Sequence, residues 1–161
     1  MEHCLTVAFT GHRSYCHQSD DQLRSVVEQL YDEGARCFRI GMAEGFDMAA
    51  AECVIQLKKE HPEISLEAYI PFPSFASRFS LVDRLRYDAI LRQCDSVNYA
   101  TEEYEQSSFM MRNDRLVANA EVVVAWWNGT NSGTGYTVRQ ARRSGARVIN
   151  IYPSTQYSLE F

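Results

Sequence analysis

The chain has 161 residues, 45% of them hydrophobic and 23% charged, which fits one globular domain over 1–161 and excludes long disordered stretches. Its formal net charge of −5 argues against a nucleic-acid partner, because basic residues that neutralise phosphate supply most of that affinity. The five cysteines are scattered without a C-x-x-C pair, which argues against a disulfide framework or a metal site. No apolar run nears the ~20 residues of a membrane span and no signal-peptide pattern opens the chain, so the expectation is a cytoplasmic protein with no membrane contact.

Residues 5–9 form a short, partly β-branched apolar run that Thr10-Gly11 ends, the pattern of a buried strand feeding a turn. Ser19 before Asp20 and Asp21 supplies an N-cap and an acidic first turn, and Leu23, Val26, Val27, Leu30 and Tyr31 recur at helical spacing up to Gly34. A second strand is expected over 37–40. The glycine-bounded loop 41–47 then opens an alanine-rich helix that begins at Asp47 and ends before Pro62. Alternation over 64–70 predicts a third strand, followed by a rigid Pro-rich loop. Helical periodicity covers 80–93, a weak strand 95–99 and a further helix from Ser107 or Ser108 to Asn119. The run 120–127 is the strongest strand. A polar loop, 128–135, precedes a helix over 136–144 and a last strand over 147–151, and the tail from Tyr152 has no clear pattern. Strands and helices alternate from end to end. The expected fold is therefore α/β, a Rossmann-like three-layer sandwich with a mostly parallel sheet and helices on both faces. Ligands of such sheets bind outside the carboxyl ends of the strands, where strand order reverses.

Three of the loops in that position are built for close backbone approach. Thr10-Gly11-His12-Arg13 offers a glycine and a guanidinium for phosphate, or a plain tight turn. In the 41–47 loop, Gly41 and Gly45 bracket Glu44 before a helix N-terminus that favours anions; Glu44 and Asp47 are the carboxylates available for a ribose contact or for catalysis, Asp47 equally for the helix cap. Ser132-Gly133-Thr134-Gly135 puts small side chains and hydroxyls ahead of a helix, the make-up of a backbone N–H cradle for phosphate, although no Gly-Lys-Ser/Thr follows as in a P-loop. On the preceding helix Arg112 and Arg115 share one face beside Asn113, either for a surface ion pair or for an anion. Trp126, Trp127, Tyr99, Tyr104 and Phe109 read as packing residues or as rings on which a base stacks.

The order of these segments, Thr10-Gly11-His12-Arg13, then 41–47, then Arg112-Asn113-Asp114-Arg115, then Ser132-Gly133-Thr134-Gly135, resembles the SLOG superfamily over roughly 5–151. That group includes the DNA-processing protein DprA/Smf, the lonely-guy hydrolases and YpsA-like proteins, and the first segment looks nearest to the YpsA-like branch. The resemblance implies a pocket for a nucleotide or nucleotide derivative, no required cofactor and a homodimer as the assembly. It places ligand contacts on Gly41, Gly45 and Asp47, on Arg112 and Asn113, and on Ser132, Gly133, Thr134 and Gly135. The lonely-guy motif P-G-G-x-G-T-x-x-E ends in a catalytic glutamate, whereas the matching stretch here runs Gly133 to Gln140 without a carboxylate. Three functions follow: a nucleotide-binding sensor, an N-glycosidase of nucleoside 5'-monophosphates using Glu44 or Asp47, and a DprA-like module for single-stranded DNA. Catalysis stays open at this point.

Overall fold

A computed structural model describes residues 4–153, so the pattern-free tail lies, from 154 onward, outside the described residues. Six strands alternate with five α-helices: β1 (Leu5–Gly11), α1 (Asp20–Asp32), β2 (Ala35–Ile40), α2 (Phe46–Glu60), β3 (Ser65–Ile70), α3 (Leu81–Arg92), β4 (Ser96–Tyr99), α4 (Ser108–Val117), β5 (Val122–Trp126), α5 (Gly133–Arg143) and β6 (Arg147–Asn150). Every pairing is parallel, in the order β4-β3-β2-β1-β5-β6. This is the three-layer Rossmann-like architecture expected, with a sheet that is parallel throughout. From β1 the chain steps outward through β2, β3 and β4, then crosses back to place β5 and β6 on the other side of β1. The order reverses between β1 and β5, whose carboxyl ends form the switch point.

Both faces of the central strands are covered, which is why Val7, Ala8 and Phe9 of β1 and all of Val122–Trp126 are apolar and buried. Val7 and Phe9 pack with Leu23, Val27 and Leu30 of α1, Val54 and Leu57 of α2, and Ile90 of α3. Ala8 and Val123 face the opposite way, against Leu116 and Val117 of α4 and Ala141 of α5. The alternation along β1 thus sends Thr10 to the α4–α5 side, beyond Ala8.

Three local details differ from the sequence expectation. Helix α5 starts at Gly133, not Tyr136: the Ser132 hydroxyl accepts from Gly135 N at 3.1 Å, and this cap outweighs the poor helix propensity of two glycines. Ser19 sits at the N-cap of α1 but makes no side-chain cap; it is buried, and its hydroxyl accepts from Trp126 Nε1 at 3.2 Å. The loop after β3 contains a 3₁₀ turn, Phe75–Arg78, which its Pro and Ser residues concealed.

Candidate functional site

The loops after β1 and β2 are locked together by glycines. A Cβ on Gly45 would lie 2.4 Å from the Arg13 carbonyl oxygen, and Gly45 takes φ +82°, so both space and backbone demand glycine there. Gly11 is needed for a different reason than close approach of a ligand: its missing side chain leaves room for the Phe46 ring, 2.5 Å from where a Cβ would sit. Phe46 N also donates to the His12 carbonyl at 3.2 Å. His12 in turn accepts from Asn128 N through Nε2, at 3.0 Å, which puts its ring proton on Nδ1 and ties the first loop to the one after β5.

Asp47 stands in the first turn of α2, two residues past the cap residue Gly45, so it is not the N-cap. Its Oδ2 accepts from Ala43 N at 3.1 Å, while Oδ1 is buried with no hydrogen-bond partner among the described residues. Burial pushes the carboxyl up from its ordinary 3.8 to about 6, against the pull of the Arg112 charge and the Ala43 N–H. Arg112, also buried, donates through Nη1 to the Gly41 and Tyr69 carbonyls and through Nε to Asn113 Oδ1 at 2.8 Å. Burial lowers its pKa and Asp47 raises it, yet a guanidinium stays charged at neutral pH. Gly41 leaves room for both side chains: a Cβ there would lie 2.8 Å from Asp47 Oδ2 and 3.1 Å from Arg112 Nη1.

On the other side, the first turn of α5 presents the N–H groups of Gly133 and Thr134 ahead of the first intrahelical bond. Gly133 faces open space where a Cβ would point. Thr137 holds the turn by donating from Oγ1 to the Gly133 carbonyl at 2.9 Å. Helices α4 and α5 are joined through Asp114, whose Oδ1 accepts from Tyr136 Oη at 2.8 Å and from Gln140 Nε2 at 3.4 Å.

These groups enclose a cleft of about 370 Å³ at the switch point. Thr10 and Gly11 line it from β1, His12 and Arg13 from the loop that follows, Asp47 from α2, Arg112 and Asn113 from α4, and Ser132, Gly133 and Thr134 from the cap and first turn of α5. Gly41, Gly45 and Gly135 shape the walls without lining them. Glu44 is not on the cleft either: its carboxyl lies beside that of Asp83 of α3, which together with burial raises its pKa. Of the two carboxylates proposed for catalysis, Asp47 alone therefore lines the cleft. Ala43, Leu116 and Thr137 complete the lining without having been singled out from the sequence, and Phe109 lies among them. Leu116 was legible in principle, since 109, 112, 113 and 116 recur at helical spacing on one face of α4. A larger groove, about 970 Å³, runs between α1, α2 and α3 and contains none of the expected residues.

The family model YpsA, described as the YspA SLOG family, matches residues 4–153. The chain is 27% identical to the SPbeta prophage-derived protein YoqJ of Bacillus subtilis over 155 residues, covering 87% of this chain and 91% of that protein. It is 29% identical to a UPF0398 protein of Halalkalibacterium halodurans over 156 residues, with 92% and 82% covered. Among solved structures it resembles DNA processing protein A of Streptococcus pneumoniae, at TM-score 0.69, 19% identity and 94% coverage of this chain. It also resembles the Helicobacter pylori protein of that name, described for its single-stranded DNA binding mode, at TM-score 0.65, 19% identity and 89% coverage. The chain spans only 52% and 63% of those two structures, and the likeness is one of fold.

Proposed function

The chain belongs to the YspA SLOG family, and from that premise we propose that it binds a nucleotide or nucleotide derivative in the cleft between α4 and α5. One observation carries the reading. The cleft sets anion-binding groups, the Gly133 and Thr134 amides and Arg13, beside Asp47, whose buried Oδ1 has no hydrogen-bond partner among the described residues. A ligand that satisfies both walls has an anionic end and hydroxyl donors, which a sugar phosphate supplies. The volume fits a mononucleotide at the lower end of the usual range for small-molecule sites, about 300–1,000 Å³. The test is a thermal-shift and calorimetric screen of nucleotides, ADP-ribose and dinucleotides; binding to the folded state adds about 2.7 kcal/mol of stability at a hundredfold excess over Kd and so raises the melting point. No shift with any of them at millimolar concentration defeats the proposal.

A second reading, cleavage of the N-glycosidic bond of a nucleoside 5'-monophosphate, is favoured by the position of Asp47. A carboxyl titrating at about 6 can exchange a proton near neutral pH, as a general acid or base must. Release of free base from a nucleotide panel, lost in Asp47→Asn, supports it; no release sinks it. A DprA-like role on single-stranded DNA runs against the net charge of −5, and flat binding curves at low salt dispose of it.

A further inference from the structure

Helices α4 and α5 follow β4 and β5, so both begin at the carboxyl edge of the sheet, and the first turns of both line the cleft. The Asp114 bonds to Tyr136 and Gln140 hold them as packed neighbours, a spacing of about 8–10 Å between axes. The two first turns are chemically unlike. That of α5 offers amides and the Thr134 side chain, whereas that of α4 offers Phe109, which lines the cleft half-buried. Its ring is held edge-on by Phe72 and Phe75, with centroids 5.7 Å and 5.8 Å away. Tyr104, 61% exposed, extends the same cluster outward by packing on Phe72 at 5.5 Å. Ala43 and Leu116 are the other apolar groups on the cleft.

From this placement we infer that Phe109 is the platform of a nucleobase subsite, on which a planar base stacks while its phosphate rests on the first turn of α5. The inference rests on the nucleotide reading and narrows it. The cleft selects for the base as well as for the sugar phosphate, and a mononucleotide spans it from one helix start to the other. A ring pinned by two neighbours loses little freedom when a base lands on it, so the contact is productive without rearrangement. Asn113 stands beside it with Oδ1 committed to Arg112 Nε, which leaves its amide N–H groups as the end available to a ligand.

The experiment is calorimetric titration of the full chain with inorganic phosphate, ribose 5-phosphate and AMP. AMP is expected to bind at least about tenfold more tightly than ribose 5-phosphate, a ratio equivalent to about 1.4 kcal/mol and within the range for one stacked base. Phe109→Ala is expected to bring AMP down to the ribose 5-phosphate level while leaving ribose 5-phosphate within about twofold. Phe109→Leu, which keeps apolar volume in the cluster but removes the ring, carries the same expectation and guards against collapse of the wall. Equal affinities for the two ligands in the parent chain, or a loss shared by both in the variants, overturns the base subsite and leaves the sugar-phosphate site standing. Failure of both to bind overturns the subsite, whereas the nucleotide reading falls only if the wider panel of nucleotides, ADP-ribose and dinucleotides fails as well.

Discussion

On the face covered by α1, α2 and α3 the sheet meets large side chains: Phe9 and Phe38 stack at 6.1 Å, and Leu23, Leu30, Val54, Phe46 and Ile90 close around them. On the face covered by α4 and α5 it meets Ala8, Val123, Leu116, Val117, Ala120 and Ala141. No aromatic ring stands among these buried residues, and beyond Ala8, toward the strand ends, Thr10, Asp47, Arg112 and Thr134 line the cleft. The comparison teaches where the molecule spends its apolar surface. One face supplies cohesion; the other gives up packing to hold two charges and a row of free amides beside water.

The division can be broken most directly by removing a ring from the thick face. Phe9→Ala is expected to cost about 3–5 kcal/mol, as for large-to-small changes at fully buried sites, while ligand affinity measured on the folded fraction stays unchanged. Urea unfolding and calorimetry at the same temperature check both halves. A large loss of affinity in the folded fraction contradicts the separation of roles.

The next effect lies on the cleft and depends on pH. Folded Asp47 keeps a proton up to about 6, whereas the unfolded chain releases it near 3.8. The native state therefore binds more protons in that window, and this residue's contribution lowers stability as pH rises through it. Above the upper value the cost is about 3 kcal/mol, at about 1.4 kcal/mol per pH decade. Asp47→Asn mimics the protonated form, so it is expected to match the parent near pH 4 and exceed it by about that amount at pH 7.5. Parallel denaturation curves for the two chains at both pH values contradict this.

The smallest change separates stability from binding most sharply. Gly133→Ala adds a methyl into open space in the first turn of α5. It should leave stability unchanged or raise it by up to about 1 kcal/mol through helix propensity, and weaken phosphate-bearing ligands by filling the cradle. Melting temperature and titration read the two signs; a variant that binds as well as the parent removes Gly133 from the site.

Much of this arrangement was legible in the chain. The alternation of apolar runs and helical stretches gave the element order, and Gly41, Gly45 and Ser132-Gly133-Thr134-Gly135 announced themselves because small residues at strand ends have few other uses. Three-dimensional neighbours were not legible. Nothing local says that Gly11 is vacant for Phe46, that the Ser19 hydroxyl belongs to Trp126 rather than to its own helix, or that Glu44 turns to Asp83 while Asp47 turns inward. Each depends on a contact between segments far apart in sequence, and a carboxylate three residues from another looks identical until burial distinguishes them.

The bonds from Tyr136 and Gln140 to Asp114 have a kinetic consequence. Because they brace the two cleft helices against each other, they oppose relative motion of α4 and α5, and the shape those two walls give the cleft is set before any ligand arrives. Occupancy should then track ligand concentration by simple collision and escape, with a single-exponential approach whose rate rises linearly with concentration and never levels off at a conformational step.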